Sequence, residues 1–162
     1  MANTLVHTQL NDVKEFLTKT SSTIGGFLNE ATISQFGLEQ EEDQTYLKQI
    51  FSNLRKLVVY GEEGLDACSV ILQSEPFQKA AAEKTLYRIY HQCINEFFSP
   101  KNDAWYEDSR SAYTGRNSIK YYRNVPEPVV QLIKSLEGDF QRIREELEYY
   151  ETDYRTKITQ SK

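Results

Sequence analysis

The segment SRSAYTGRNSIKYYRN, residues 109–124, carries Arg110, Arg116, Lys120 and Arg123 without a single acid, and interleaves Tyr113, Tyr121 and Tyr122 among them. Arginine presents a planar fork that grips carboxylate or phosphate with two hydrogen bonds, and lysine adds a mobile point charge. Tyrosine supplies rigid amphipathic contact area, or a platform on which a base can stack. Ser109, Ser111, Ser118 and Thr114, with backbone donors near Gly115, would complete an anion cradle. The candidate partner- or anion-binding set is therefore Arg110, Tyr113, Arg116, Lys120, Tyr121 and Arg123. No phosphate fingerprint accompanies it, since TGRNS matches neither a P-loop nor a dinucleotide-binding turn. The competing reading is structural: the same cations could hold the loop against acidic parts of its own chain.

A second constellation is carboxylic. Glu39-Gln-Glu-Glu42 and Glu63-Gly-Leu-Asp66 have the E-x-x-E and E-x-x-D spacing of all-α nucleotide pyrophosphohydrolases of the MazG type, where facing helices offer carboxylates to Mg²⁺ on a triphosphate. This makes Glu42, Glu63 and Asp66 the alternative metal set. The first pair, however, falls in an expected loop, and with 24 acids in 162 residues such spacing arises readily. A solvated acidic face is the preferred reading. A ferritin-like di-metal site is disfavoured further, because no E-x-x-H occurs. Nucleophilic triads need a histidine in a shaped pocket, and His7 and His91 are the only two in the chain. His91 lies at the edge of an apolar stripe, where a packed histidine is expected. Its spacing from Arg88 is shorter than the Arg…His pair of helical ribonucleases of the HEPN type. No cofactor is expected, and zinc lacks ligands because no CxxC exists.

Composition limits the partners. The chain has 162 residues, 39% apolar and 27% charged, with net charge −5, which suits one folded domain spanning 1–162. Such an acid balance argues against general nucleic-acid or anionic-membrane binding. The charge is segregated, however. Residues 99–125 carry five cations (Lys101, Arg110, Arg116, Lys120, Arg123) against three acids (Asp103, Glu107, Asp108), a balance of +2 that leaves −7 elsewhere. No signal peptide is expected at the N-terminus, and no run approaches ~18 apolar residues, so a cytoplasmic chain without membrane spans is expected. Cys68 and Cys93 both fall on apolar stripes and are expected as buried, reduced thiols.

Four helices must position these residues. Val6, Leu10, Val13, Leu17, Ile24 and Phe27 predict a first helix over about 3–29, and Leu47 to Leu72 a second over about 43–73. Gly61 falls in the second seam, which implies close approach by a bulky neighbour, with a kink or ligand notch as the alternative. Ser74 as N-cap, with Pro76 in the first turn, predicts a third helix running to about Phe98. After VPEP, the series Val129, Ile133, Leu136, Phe140, Ile143, Leu147, Tyr150, Tyr154 and Ile158 predicts the last. Its seam suits core packing first, and a homodimer contact second. The fold expected is all-α: an antiparallel up-down four-helix bundle with a long loop, 99–125, between helices three and four. Twenty-seven residues far exceeds the ~2–8 usual between bundle helices. AYTGRNSIKYY is read within it as a small β-hairpin turning at Gly115–Arg116, with Tyr113 and Ile119 on its arms. In an up-down order this loop shares an end with EQEED, residues 39–43, so acidic and basic loops should be neighbours.

Three stretches taken together, AAAEKTLYRIYHQCINEFFSPK, DSRSAYTGRNSIKY and REELEYYETDYRTK, resemble a family of small uncharacterised proteins of spore-forming Gram-positive bacteria. The resemblance covers nearly the whole chain. It implies a bacterial cytosolic protein and brings no catalytic residue with it. The reading reached is a non-enzymatic binding or regulatory module whose long loop is the recognition surface. The expected partner is a protein first, RNA second and a phosphorylated small molecule third.

Overall fold

In the computed structural model the backbone is described for residues 2–108 and 118–160, and side chains for 4–108 and 118–150. Helix α1, Ala2–Glu30, is followed by a 3-10 turn, Ile33–Phe36, which closes on Gly37 in the left-handed region at φ 61°. Helix α2, Glu41–Gln73, opens with Glu41, Glu42 and Asp43, acids that suit the positive end of the helix dipole. The third helical segment is composite: α3, Lys79–Ile89, a π turn, Tyr90–Ile94, and α4, Asn95–Phe98. Helix α5, Glu127–Gln160, ends the fold. Strands β1, Tyr106–Glu107, and β2, Ile119–Lys120, pair antiparallel between the third segment and α5, with Tyr106 opposite Lys120 and Glu107 opposite Ile119. The protein is thus mostly helical, with a small two-stranded sheet. No helix among the described residues is long and apolar enough to cross a membrane.

The four helical segments enclose one core, and their contacts run in opposite residue order. Phe27 meets Phe51, while Leu17 meets Gly64. Along α1 and α5, Asp12 meets Arg142, Phe16 meets Phe140 and Lys19 meets Asp139. Along α2 and the third segment, Lys56 meets Glu96 and Gly64 meets Ile89. At the centre Phe97 stacks on Phe140 at 4.0 Å, with Phe16 and Phe98 edge-on to the same ring. Aromatic groups so arranged add about 0.5–1.5 kcal/mol per pair beyond area burial. Every apolar position read on α5 from Val129 to Tyr150 is buried, and Tyr154 and Ile158 lie beyond the described side chains.

Helix three departs from its expected form at both ends. Ser74 closes α2 rather than opening α3: its amide bonds the Ile71 carbonyl, and its hydroxyl the Val70 carbonyl at 2.8 Å. Glu75 and Pro76 belong to the connection, and the N-cap is Gln78. A serine can satisfy a carbonyl four residues back as readily as it caps a helix ahead of it, and the residue before proline avoids α geometry, which moves the start downstream. The π turn adds one residue to a helical turn and so rotates the face beyond it. Glu96, Phe97 and Phe98 are all buried on that rotated face.

Cys68 and Cys93 are free and buried. Burial pushes their thiols up to about 11 and about 12, so neither is a thiolate nucleophile at neutral pH. His91 packs edge-on against Tyr87 and Tyr90, with Nδ1 3.5 Å from the Asn95 amide nitrogen.

Gly61 and Gly64 mark where α1 and α3 press on α2. A Cβ at Gly61 would lie 2.6 Å from Ser21 Oγ, and one at Gly64 would lie 3.1 Å from both Leu17 and Ile89. The neighbours at Gly61 are the Ser21 hydroxyl and, at 4.0 Å, a Leu17 methyl, so the side chain that crowds the glycine is a small one and not the bulky one expected. Gly61→Leu should therefore cost about 2 kcal/mol or more in denaturant unfolding, since a leucine there overpacks against Ser21 and Leu17.

A second test concerns charge. Burial, a hydrogen bond that the protonated carboxyl donates to Asp12, and repulsion by Asp12 raise the Glu146 carboxyl to about 7, against the opposing pull of Arg142. A carboxyl raised in the folded state binds more protons there than in the unfolded chain, so its contribution is full below ~4.5 and lost as pH rises through about 7. Glu146→Gln should raise the melting temperature more at pH 8 than at pH 5. An equal shift at both would remove Glu146 as the source.

Candidate functional site

The insert, residues 99–125, is fixed to the helices by polar contacts of unusual depth. At its start, buried Glu96 accepts the Lys101 amide at 3.1 Å and lies 3.4 Å from Lys56 Nζ. Asn102 and Gln49 bond each other's backbone, and Asn102 Oδ1 accepts the Ala104 amide. Trp105 is buried, and its indole N–H reaches the Phe97 carbonyl at 2.5 Å, filling an acceptor that the end of helix three leaves open. Tyr46 is a pin: its hydroxyl donates to the Ala104 carbonyl and accepts the Tyr122 amide at 3.1 Å. Loss of solvent holds that hydroxyl above its ordinary value and so protonated.

The hairpin sits on a polar stripe of α5. Glu137, Gln141 and Arg144 follow helical spacing and are 2, 5 and 7% exposed. Glu137 Oε1 accepts the amides of Ser118 and Ile119 at 2.9 and 3.1 Å and the Ser118 hydroxyl at 2.6 Å. Arg144 grips Glu107 with both terminal nitrogens, at 3.0 and 2.7 Å, donates to Gln141, and lies 3.6 Å over the Phe98 ring. Asp108 donates its amide to the Ser118 carbonyl at 2.6 Å and closes the base of the hairpin. The arm opposite Ile119 is thus Tyr106–Glu107. The turn assigned to Gly115–Arg116 and the arm assigned to Tyr113 lie outside the described residues.

Of the six residues selected from sequence, Arg110, Tyr113 and Arg116 also lie outside the described residues. The other three have different fates. Arg123 bonds Asp43 at 2.7 Å and Gln40 at 3.4 Å, so the basic insert and the acidic start of α2 are neighbours, as chain order requires. Tyr121 is largely buried; burial first, and then Tyr46 and Glu137, push its hydroxyl well above the usual range. Lys120 is half-buried on β2 beside Tyr106. Among the described residues of the insert, Tyr106 and Tyr122 are the large apolar side chains open to solvent, 41 and 56% exposed with rings 5.0 Å apart.

Sequence reasoning missed the residues that hold this platform, although 137, 141 and 144 formed a readable stripe beside the apolar one. The carboxylate set does not assemble. Glu42, Glu63 and Asp66 all belong to α2, correcting the loop assignment of Glu42. Glu42 and Glu63 lie roughly 30 Å apart along that helix at 1.5 Å per residue, too far to share an ion. No group of three or more His, Cys, Asp or Glu side chains among the described residues is placed to hold a metal.

The pairing of Glu107 with Arg144 can be tested by removing one partner. Glu107→Ala should cost about 3 kcal/mol, because it takes the two-oxygen carboxylate partner from a buried guanidinium. It should also speed hydrogen exchange across residues 99–108 and 118–125. Glu107→Leu with Arg144→Met should recover most of the loss.

A family model described as protein of unknown function, DUF3907, matches residues 10–156. The uncharacterized protein YpuI of Bacillus subtilis (strain 168) is 42% identical over 151 residues, covering 93% of this chain and 84% of that one. No solved structure matches. A match across almost all of the helices and the whole insert places this chain in the DUF3907 family.

Proposed function

We propose that the chain is one domain, residues 1–162, an antiparallel up-down four-helix bundle that acts in the cytoplasm as a non-enzymatic binding module. The insert is its recognition surface. The observation that carries this reading is the Tyr106–Tyr122 pair, exposed to solvent on a base pinned by Tyr46, Glu137 and Arg144. Two adjacent tyrosines cost little conformational entropy to immobilise, and a rigid base costs none. Lys120 flanks the pair, and Arg110, Tyr113 and Arg116 belong to the connection between its strands. Another protein is the preferred partner, ahead of RNA and of a phosphorylated small molecule. Aromatic pairs with flanking cations are typical anchors of protein interfaces.

The test is affinity capture from the native cell, repeated with the purified partner, using wild type and the Tyr122→Ser/Lys120→Glu variant. Capture should be abolished while exchange across 99–108 and 118–125 stays as in wild type. Faster exchange with capture intact would show that these side chains only hold the insert down, and the reading would fall.

A further inference from the structure

The crease between β2 and the first turns of α5 forms a half-open cavity of about 180 Å³. Ile119, Lys120 and Tyr121 form one wall. Val130, Ile133, Lys134 and Glu137, spaced by three and four along α5, form the other. Among the described residues the ammonium groups of Lys120 and Lys134 have no ion-pair partner, and the Tyr121 hydroxyl has no hydrogen-bond partner. Loss of solvent keeps that hydroxyl protonated at neutral pH, so it can donate. Glu137 is the one acid on the walls, and its Oε1 already receives three hydrogen bonds from Ser118 and Ile119. The lining therefore includes two lysines against one carboxylate whose Oε1 is already taken by donors, with Ile119, Val130 and Ile133 as its apolar part. At about 30 Å³ per water it has room for about six waters, which suits an occupant of six to eight non-hydrogen atoms.

We propose that this crease binds a monocarboxylate carried on a short branched aliphatic body, either a free acid or the C-terminal residue of a peptide. The proposal rests on the reading of the insert as a recognition surface and names its ligand chemistry. Lys120, Lys134 and Tyr121 donate to the carboxylate, and Ile119, Val130 and Ile133 cover the body. A phosphate dianion fits poorly, because Glu137 leaves a net of one positive charge and no arginine fork lines the walls.

The full chain, ¹⁵N-labelled, is titrated by NMR with isovalerate, N-acetyl-leucine, N-acetyl-leucinamide and inorganic phosphate. One acid should shift the amides of residues 119–121 and 130–137 and saturate below about 10 mM, with leucinamide and phosphate at least about tenfold weaker. Saturation by isovalerate assigns the free acid, and by N-acetyl-leucine alone the peptide terminus. Lys120→Gln and Lys134→Gln should each weaken binding about tenfold and leave the remaining spectrum unchanged. The proposal is overturned if neither acid shifts these amides, if leucinamide or phosphate binds as tightly, or if both variants bind like wild type. Should it fail while Tyr122→Ser/Lys120→Glu still loses captured partner, the crease assignment falls and the recognition reading stands. Failure of both would remove that reading as well.

Discussion

Glu137 and Arg144 are charged side chains with almost no access to water, and the insert supplies the partners that make their burial tolerable. A buried ion costs several kcal/mol to desolvate, and only well-placed donors or counter-ions offset it. Glu137 takes three donors from two consecutive residues of the insert, and Arg144 takes both oxygens of one carboxylate. Neither arrangement survives a shift of one residue in β1 or β2, because successive strand residues face opposite ways. An apolar patch would have glued the insert down in many registers. This polar stripe accepts one, and it is the register that places Tyr106 beside Tyr122.

The basic residues of the insert differ in what holds them. Arg123 belongs to the scaffold, through Asp43 and Gln40 at the start of α2. Lys120 sits on the strand with no carboxylate partner among the described residues. The docking reading of the basic segment therefore holds at Arg123 and finds no such contact at Lys120. The aromatic residues divide in the same way, with Trp105 and Tyr121 turned inward and Tyr106 and Tyr122 outward.

The helices were legible because a 4-3 apolar step is a direct record of one buried face, as Val129 to Tyr150 show on α5. Ser74 misled because a serine's local hydrogen bond can close one helix or open another, and the residue type does not say which. The π turn left no trace, since Tyr90 to Ile94 reads as ordinary helix until the burial of Glu96, Phe97 and Phe98 is known. The platform on α5 was hidden for a different reason. Glu137, Gln141 and Arg144 look like a solvated face, and only the position of a segment some twenty residues upstream shows that they are covered. The insert was legible as a long connection between helices three and four, but not in its pairing. Its first arm, Tyr106–Glu107, has only two residues in the sheet, too short for any alternation to be read.

Trp105 is the single tryptophan of the chain, and it lies in the insert, buried at the end of helix three with its indole N–H on the Phe97 carbonyl. Intrinsic tryptophan emission is therefore a report on insert docking and not on the helices. A red shift without loss of helical circular dichroism would signal an undocked insert on an intact scaffold. Coincident changes would mean that the two form one cooperative unit, and the chain carries the probe for that distinction without any label.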